Sequence, residues 1–325
     1  MESADPAPEP GPGQVRVRVA WCGLCGTDLH EYRSGPFYIP VEPHPVTGRS
    51  APIILGHEIS GWVESAGPGA GLSPGALVGL NALLPCGSCP ACARGSVHLC
   101  LTIGHLGLSA DGGLADLVTV PAAMAVPAPS GMDSAVAALG EPFAVAMHAV
   151  RQGGRPHGTD CVVVGAGTIG LAVAMLLHAD GNHVVITDVS RSRLRRAAAL
   201  GFVTGGPESR APVVFECAGA AGAPAAAFGM AEPGGLVVLT GLPESPSTLD
   251  ITVVVLREVR VVGSVSHLAD ADLAPALDFL ARHGDQAAEL ITGRVPLEAA
   301  VCDGLEVLAG PGGADHVKIL VRVGL

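Results

Sequence analysis

The chain has 325 residues, 49% of them hydrophobic and 15% charged, which excludes disordered and fibrous classes and leaves room for two domains with cores of their own. A formal charge of -12, from 30 Asp and Glu against 18 Lys and Arg with no basic run, argues against nucleic acid or an anionic membrane and favours a small-molecule substrate. Met1 opens directly into the Pro-rich stretch ESADPAPEPGPG, with no charged segment leading into an apolar one, so a cytoplasmic address is expected.

Residues 14–22 (QVRVRVAWC) alternate as a half-buried strand does, and short strand-like stretches separated by Gly and Pro continue to about residue 127, predicting an irregular all-β region. Within it, CGLCGTDLHEY brings Cys25, Thr27, Asp28 and His30 close together, and ILGHEISG adds His57 and Glu58. Thiolate, imidazole and carboxylate together suit zinc, and three protein ligands leave one position open for chemistry. Further on, PCGSCPACARGSVHLC spaces Cys86, Cys89, Cys92 and Cys100 as C-x2-C-x2-C-x7-C. Four thiolates fill every position zinc normally offers, so this lobe is read as structural; the alternative, a disulfide cluster, belongs to oxidising compartments. Cys22, Cys161, Cys217 and Cys302 read as ordinary reduced residues, mostly in the core.

From about residue 144 apolar strands alternate with Ala-rich helices: CVVVG, TIGLAVAMLLHAD, HVVITD, SRLRRAAALG, then VVFECA, GLVVLTG and VRVVGSV. That order predicts βαβ units on a parallel sheet. The apolar run from Cys161 to Leu177 is as long as a short membrane span, but its three glycines and the following His178 and Asp180 favour a strand-to-helix turn. Gly165, Gly167 and Gly170 form G-x-G-x-x-G there, with Thr168 and Ile169 between them, at the mouth of a helix that can receive a pyrophosphate. Asp188 lies 18 residues after Gly170, where a carboxylate accepts the adenosine ribose hydroxyls and repels a 2′-phosphate, so NAD is expected over NADP. Asp188 as the N-cap of the next helix is the simpler alternative. Arg193 reads either as a ribose neighbour or as a solvated helix residue, and Arg191, Arg195 and Arg196 leave some room for a 2′-phosphate. ADLAPALDFLARHG is expected as a surface helix, and HVKILVRV (316–323) as a last strand that rejoins the N-terminal β region.

The CGLCGTDLHEY run, the GHE triplet, the four-Cys lobe, EPFAVAMHAV (141–150) and GAGTIG together resemble the zinc-containing medium-chain alcohol dehydrogenases over nearly the whole length, most closely the 2,3-butanediol (acetoin) and sorbitol dehydrogenase branch. The resemblance implies a GroES-like irregular β-barrel catalytic domain (1–143 and 268–325, with the zinc lobe at about 84–102) and a Rossmann doubly wound NAD-binding domain (144–267). It implies two zinc ions per chain, one catalytic on Cys25, His57 and Glu58 and one structural on the four-Cys lobe. Glu141 would be a fourth catalytic ligand, direct or through water, or else a helix-start carboxylate before Pro142. Asp28 would orient His57. Thr27 would take the hydroxyl proton of an alcohol substrate and pass it through the cofactor ribose to His30, while hydride moves to nicotinamide. A homodimer or homotetramer follows on the same ground, with VRVVGSV as the candidate edge.

Two departures from the family pattern stand out. An extra strand pair before PEPGPG is missing, so part of the β domain is expected to be shorter or more exposed. Between Gly201 and Val213 there are only eleven residues, where the family places a third strand and a crossover helix. A helical crossover alone takes at least about 10 to 12 residues. Reaching strand 4 from strand 3 without a helix spans roughly 22 Å, just within the reach of an extended segment. Strand 3 is therefore predicted to be a stub, the crossover helix absent and the adenine side of the pocket open. The leading expectation is a zinc-dependent, NAD-linked dehydrogenase of secondary alcohols or vicinal diols. Its rivals are an enzyme of a larger polyol, sugar or amino alcohol and a non-catalytic scaffold that keeps the fold; Phe37 and Tyr38, which the resemblance places near the substrate, could select either size of substrate.

Overall fold

The computed structural model describes residues 7–243 and 246–324. The chain divides into two compact units, residues 1–144 with 267–325 and residues 145–266. Strand β1 (Gln14–Gly23) centres the first sheet because its alternation buries Val15, Val17 and Val19 completely while Arg16 and Arg18 face outward to Glu64. It pairs antiparallel with β2 (Glu58–Ala66), which pairs with β3 (Leu77–Leu80). A small ribbon of β4 (Leu83–Leu84) and β5 (Gly104–His105) flanks the four-Cys lobe, and β6 (Leu117–Pro121) and β7 (Ala125–Pro127) complete the N-terminal strands.

Short helical turns such as Pro90–Ala93 interrupt the expected all-β region, and one departure is longer. Gly26–Ser34 is a helix, α1, because the Asp28 carboxylate accepts the Cys25 backbone N–H at 2.8 Å and so caps the turn from inside. A longer helix, α2 (Gly140–Gln152), carries the chain from the first unit into the second.

The second unit is a parallel sheet of β8 (Asp160–Val164), β9 (His183–Thr187), β10 (Val203–Thr204), β11 (Ala211–Glu216), β12 (Ala231–Leu239) and β13 (Arg260–Gly263), in spatial order β10-β9-β8-β11-β12-β13. This is the doubly wound order 3-2-1-4-5-6, whose switch point lies between β8 and β11. Helices α3 (Thr168–Ala179), α4 (Arg191–Ala199), α5 (Ala223–Met230) and α6 (Ile251–Leu256) connect the strands. As expected, strand 3 is a two-residue stub and no helix lies between residues 202 and 212. Residues 205–210 make the crossing, and seven chain steps from Thr204 to Ala211 reach at most about 25 Å. Gly205 begins the crossing against β9, where its N–H donates to the Ile186 carbonyl at 3.0 Å. Met230 at the end of α5 reaches back over the sheet, its sulfur 3.9 Å from the Thr187 hydroxyl, and helps to fill the face the absent helix would have covered. Val189 and Val203 at this edge stand exposed.

After α7 (Ala274–Arg282), β14 (Ile291–Pro296) and β15 (Lys318–Arg322) return to the first sheet, giving the order β14-β15-β1-β2-β3-β7 with β6 also on β1. Strand β15 lies against β1 with Leu320 opposite Gly23, and Gly23 in turn lies opposite Glu58 on β2. The α3 stretch that read as borderline for a membrane is 12 residues long, and among the described residues no helix is long and apolar enough to cross one.

Candidate metal and nucleotide sites

The end of β1, the start of α1 and the start of β2 bring Cys25, His57 and Glu58 together, with one ligand atom of each within 4.8 Å of the others. Asp28 has two tasks. One oxygen caps α1, and the other lies 3.4 Å from His57 Nδ1, which leaves Nε2 as the ring nitrogen available to an ion. Burial by itself would lower the His57 pKa, but the charges of Asp28 and Cys25 outweigh it and raise it well above the ordinary value. Thr27 is half-buried, its hydroxyl 3.8 Å from the Cys25 sulfur, and His30 lies one turn further along α1.

Glu58 is almost fully buried, and its two oxygens have different surroundings. Oε1 accepts a hydrogen bond from Lys318 Nζ at 2.6 Å, whereas Oε2 has no hydrogen-bond partner among the described residues. Burial would lower the Lys318 pKa, yet the charges of Glu58 and Cys25 outweigh it and raise it overall. A soft thiolate, an imidazole and a carboxylate with one orphaned buried oxygen fit a zinc ion that retains an open position.

Glu141 does not join this triad. It sits in the first turn of α2, where Pro142 follows it, and its Oε1 lies 3.6 Å from Nδ1 of the fully buried His267. Burial raises its pKa first of all, Glu58 and Asp28 add to that, and His57 and Lys318 oppose it. Its place in the first turn of α2 is that of the helix-start carboxylate, and the fourth-ligand reading is not reproduced by the group of Cys25, His57 and Glu58 among the described residues.

The sulfurs of Cys86, Cys89, Cys92 and Cys100 also lie within 4.8 Å of one another, with Cys86 to Cys92 at 4.0 Å and Cys89 to Cys92 at 3.6 Å. Sulfurs bound tetrahedrally at about 2.3 Å are about 3.8 Å apart, so this spacing is that of ligands sharing one ion. Gly87 and Gly95, both at positive φ, make the tight turns, and backbone N–H groups of Ser88 and Cys89 lower the Cys86 pKa toward the thiolate a metal needs. Of the remaining cysteines, Cys22 and Cys161 are buried, Cys217 is half-buried and Cys302 is exposed.

In the second unit, Gly165 takes φ +104 to turn the chain out of β8, and a Cβ on Gly170 would lie 1.8 Å from the Gly165 carbonyl oxygen. A Cβ on Gly167 would meet nothing of the protein, so the open space there is room for a ligand at the N-terminus of α3, beside Thr168 and Ile169. Asp188 follows β9. Its Oδ2 accepts the Ala166 N–H and its Oδ1 the Ser190 N–H, each at 2.7 Å, so the carboxylate ties the glycine turn to the end of β9. The N-cap of α4 is Ser190, not Asp188. Arg193 Nη1 lies 3.9 Å from the Asp188 carboxylate.

Residues 11–130 match the family model of the alcohol dehydrogenase GroES-like domain, and residues 168–282 that of zinc-binding dehydrogenases. The (R,R)-butanediol dehydrogenase of Neisseria gonorrhoeae is 31% identical over 342 residues, covering 98% of this chain and 95% of its own. The chain belongs to the zinc-containing medium-chain alcohol dehydrogenases. Human sorbitol dehydrogenase is 31% identical over 319 residues, with 91% of this dehydrogenase and 86% of the human chain covered. The crystal structure of 2R,3R-butanediol dehydrogenase from Bacillus subtilis superposes with a TM-score of 0.89 at 30% identity, covering 98% of this dehydrogenase and 95% of that chain. This is a zinc-dependent, NAD-linked alcohol dehydrogenase near the butanediol and sorbitol branch.

Sequence reasoning missed three residues of this dehydrogenase: Lys318, Gly23 and His267. The first left a trace, a lysine beside the apolar run Ile319–Val321 of HVKILVRV. The other two left none.

Proposed function

We propose that this dehydrogenase oxidises a small secondary alcohol or vicinal diol of the 2,3-butanediol kind, or reduces the matching ketone. The observation that carries the reading is the buried triad of Cys25, His57 and Glu58 with an orphaned Glu58 oxygen, in a chain that resembles butanediol dehydrogenases from end to end. Zinc held by the triad supplies Lewis acidity, which lowers the pKa of an alcohol as it does that of water, and NAD supplies the hydride acceptor. Asp28 keeps His57 in one tautomer and orientation. Thr27 receives the substrate hydroxyl proton and hands it toward His30, one turn along α1, and solvent. Glu141 offers a further carboxylate close to the same centre. Gly165, Gly167, Thr168, Ile169 and Gly170 hold the pyrophosphate, and Asp188, with Arg193 beside it, holds the adenosine ribose.

Phe37 and Tyr38 follow α1 and are more than half exposed, and the buried Glu31 carboxylate accepts both of their backbone N–H groups, so the aromatic turn is held in one shape. A fixed apolar rim suits a short carbon chain. The relatedness to sorbitol dehydrogenase supports a second reading, a longer polyol. Steady-state rates with 2,3-butanediol, sorbitol and threonine separate the two. The expected order of kcat/KM has butanediol first, sorbitol first supports the polyol, and no turnover of any vicinal diol overturns the proposal.

The reading includes a reducing, cytoplasmic setting, in keeping with nine free cysteines of which four form a metal lobe. It also includes a homodimer or homotetramer built on β13, the edge strand of its sheet among the described residues.

A further inference from the structure

We infer that Lys318 is a positioning residue for the catalytic metal: it holds Glu58 so that the carboxylate offers the ion one oxygen, Oε2, and withholds the other. The inference rests on the reading of Cys25, His57 and Glu58 as metal ligands.

Lys318 is 3% exposed and lies 260 positions from Glu58 in the chain. Its ammonium donates to Glu58 Oε1 at 2.6 Å and to the Leu24 carbonyl at 2.9 Å. Burying an ammonium is costly unless it is paired and hydrogen-bonded, and here both partners belong to the metal site. Leu24 immediately precedes Cys25. One cation on β15 therefore clamps the thiolate segment and the carboxylate segment to each other.

The partner oxygen completes the argument. Glu58 Oε2 is buried without a hydrogen-bond partner among the described residues, and it lies where a Cβ on Gly23 would come within 1.9 Å of it. A carboxylate left alone beside a divalent ion can bind it through one oxygen or two. With Oε1 committed to an ammonium, the two-oxygen mode is closed, and the ligand position it would occupy stays open for substrate. The formal charges agree with this role. A thiolate and a carboxylate cancel a divalent cation, and Lys318 restores one positive charge to the centre.

Cobalt(II) in place of zinc reports coordination number through its visible absorption. The protein is loaded with cobalt, and the spectrum of the Cys25→Ser variant, which retains the four-Cys lobe, is subtracted to isolate the three-ligand site. The unsubstituted protein is expected to give the intense bands of a four-coordinate ion. Lys318→Met is expected to give the weaker, displaced bands of a five-coordinate ion as Glu58 turns to bind through both oxygens. If Lys318→Met does not fold by circular dichroism, Lys318→Gln, too short to bridge Leu24 and Glu58 together, carries the same expectation. A folded variant that loads fully and reproduces the unsubstituted spectrum overturns the Lys318 role and leaves the ligand reading intact. Uptake of one cobalt per chain by the unsubstituted protein, in the four-Cys lobe alone, overturns the ligand reading itself.

Discussion

Gly23 lies opposite Glu58 across the β1–β2 ladder, and its lack of a side chain makes the space that the Glu58 carboxylate occupies. A Cβ at that position would come within 1.9 Å of Oε2 and 3.0 Å of the carboxylate carbon, contacts no rotamer adjustment at Gly23 relieves. Gly23→Ala is therefore expected to displace Glu58 from the ligand set while leaving the four-Cys lobe untouched. Elemental analysis should find the metal content falling from two per chain to one, with kcat/KM down about 100-fold or more. Two metals per chain with unchanged turnover would mean that Glu58 finds another path to the ion. At this scale the sequence was legible where chemistry concentrates in a short motif. Cys25, His57 and Glu58 stand out by type and by each other's company, and Asp28 through the family resemblance. Gly23 and Lys318 do not, because their meaning comes from pairing across strands distant in the chain, and a lone lysine or glycine has too many ordinary uses.

The connection from β10 to β11 is the element most particular to this chain. Chain geometry made its shortness legible: eleven residues cannot hold a strand and a crossover helix, and a residue count with strand spacings decides the matter. How the exposed sheet face is then covered was not legible, since that depends on where α5 and Met230 come to lie. Gly205 is the point of tightest passage, for a Cβ there would stand 2.6 Å from Val185 Cγ1 and 2.3 Å from Ser209 Oγ. Its φ is not in the left-handed region, so the restriction is one of space. Gly205→Val is expected to push the connection off β9 at an overpacking cost of about 1–3 kcal/mol, read as a lower midpoint of chemical denaturation. The metal content should not change, because the strain falls in the other unit. Helix α1 teaches the complementary point. Its residues were singled out for chemistry, but the helix itself was not foreseen, because its cap is the same Asp28 whose carboxylate had been assigned wholly to His57.

For the molecule as a whole, the edges of the two sheets pose the question of assembly. Strand β13 pairs only with β12 among the described residues, so one side of it presents unpaired backbone groups. Val261 and Val265, on this strand and just beyond it, are 41% and 45% exposed, and the preceding α6 packs Val253 and Val254 on the core while leaving Ile251, Val255 and Leu256 open to solvent. A monomer has no reason to keep these apolar side chains in water, and no charged residue interrupts the strand after Arg260 to discourage pairing. A second copy placed antiparallel on β13 would satisfy its backbone groups and cover these side chains symmetrically, since a two-fold axis brings the same patch to itself. A stable interface of this kind buries on the order of 1,200–2,000 Å² in total, more than a four-residue strand supplies, so α6 must take part. The double variant Val261→Asp with Val265→Asp places four like charges across that axis. Sedimentation equilibrium is expected to give the mass of a multiple of the chain for the unsubstituted protein and of a single chain for the variant, with the zinc content of both unchanged. If the unsubstituted protein sediments as one chain at micromolar concentration, or the variant still associates, β13 is not the joint and the exposed apolar face of α6 serves some other contact.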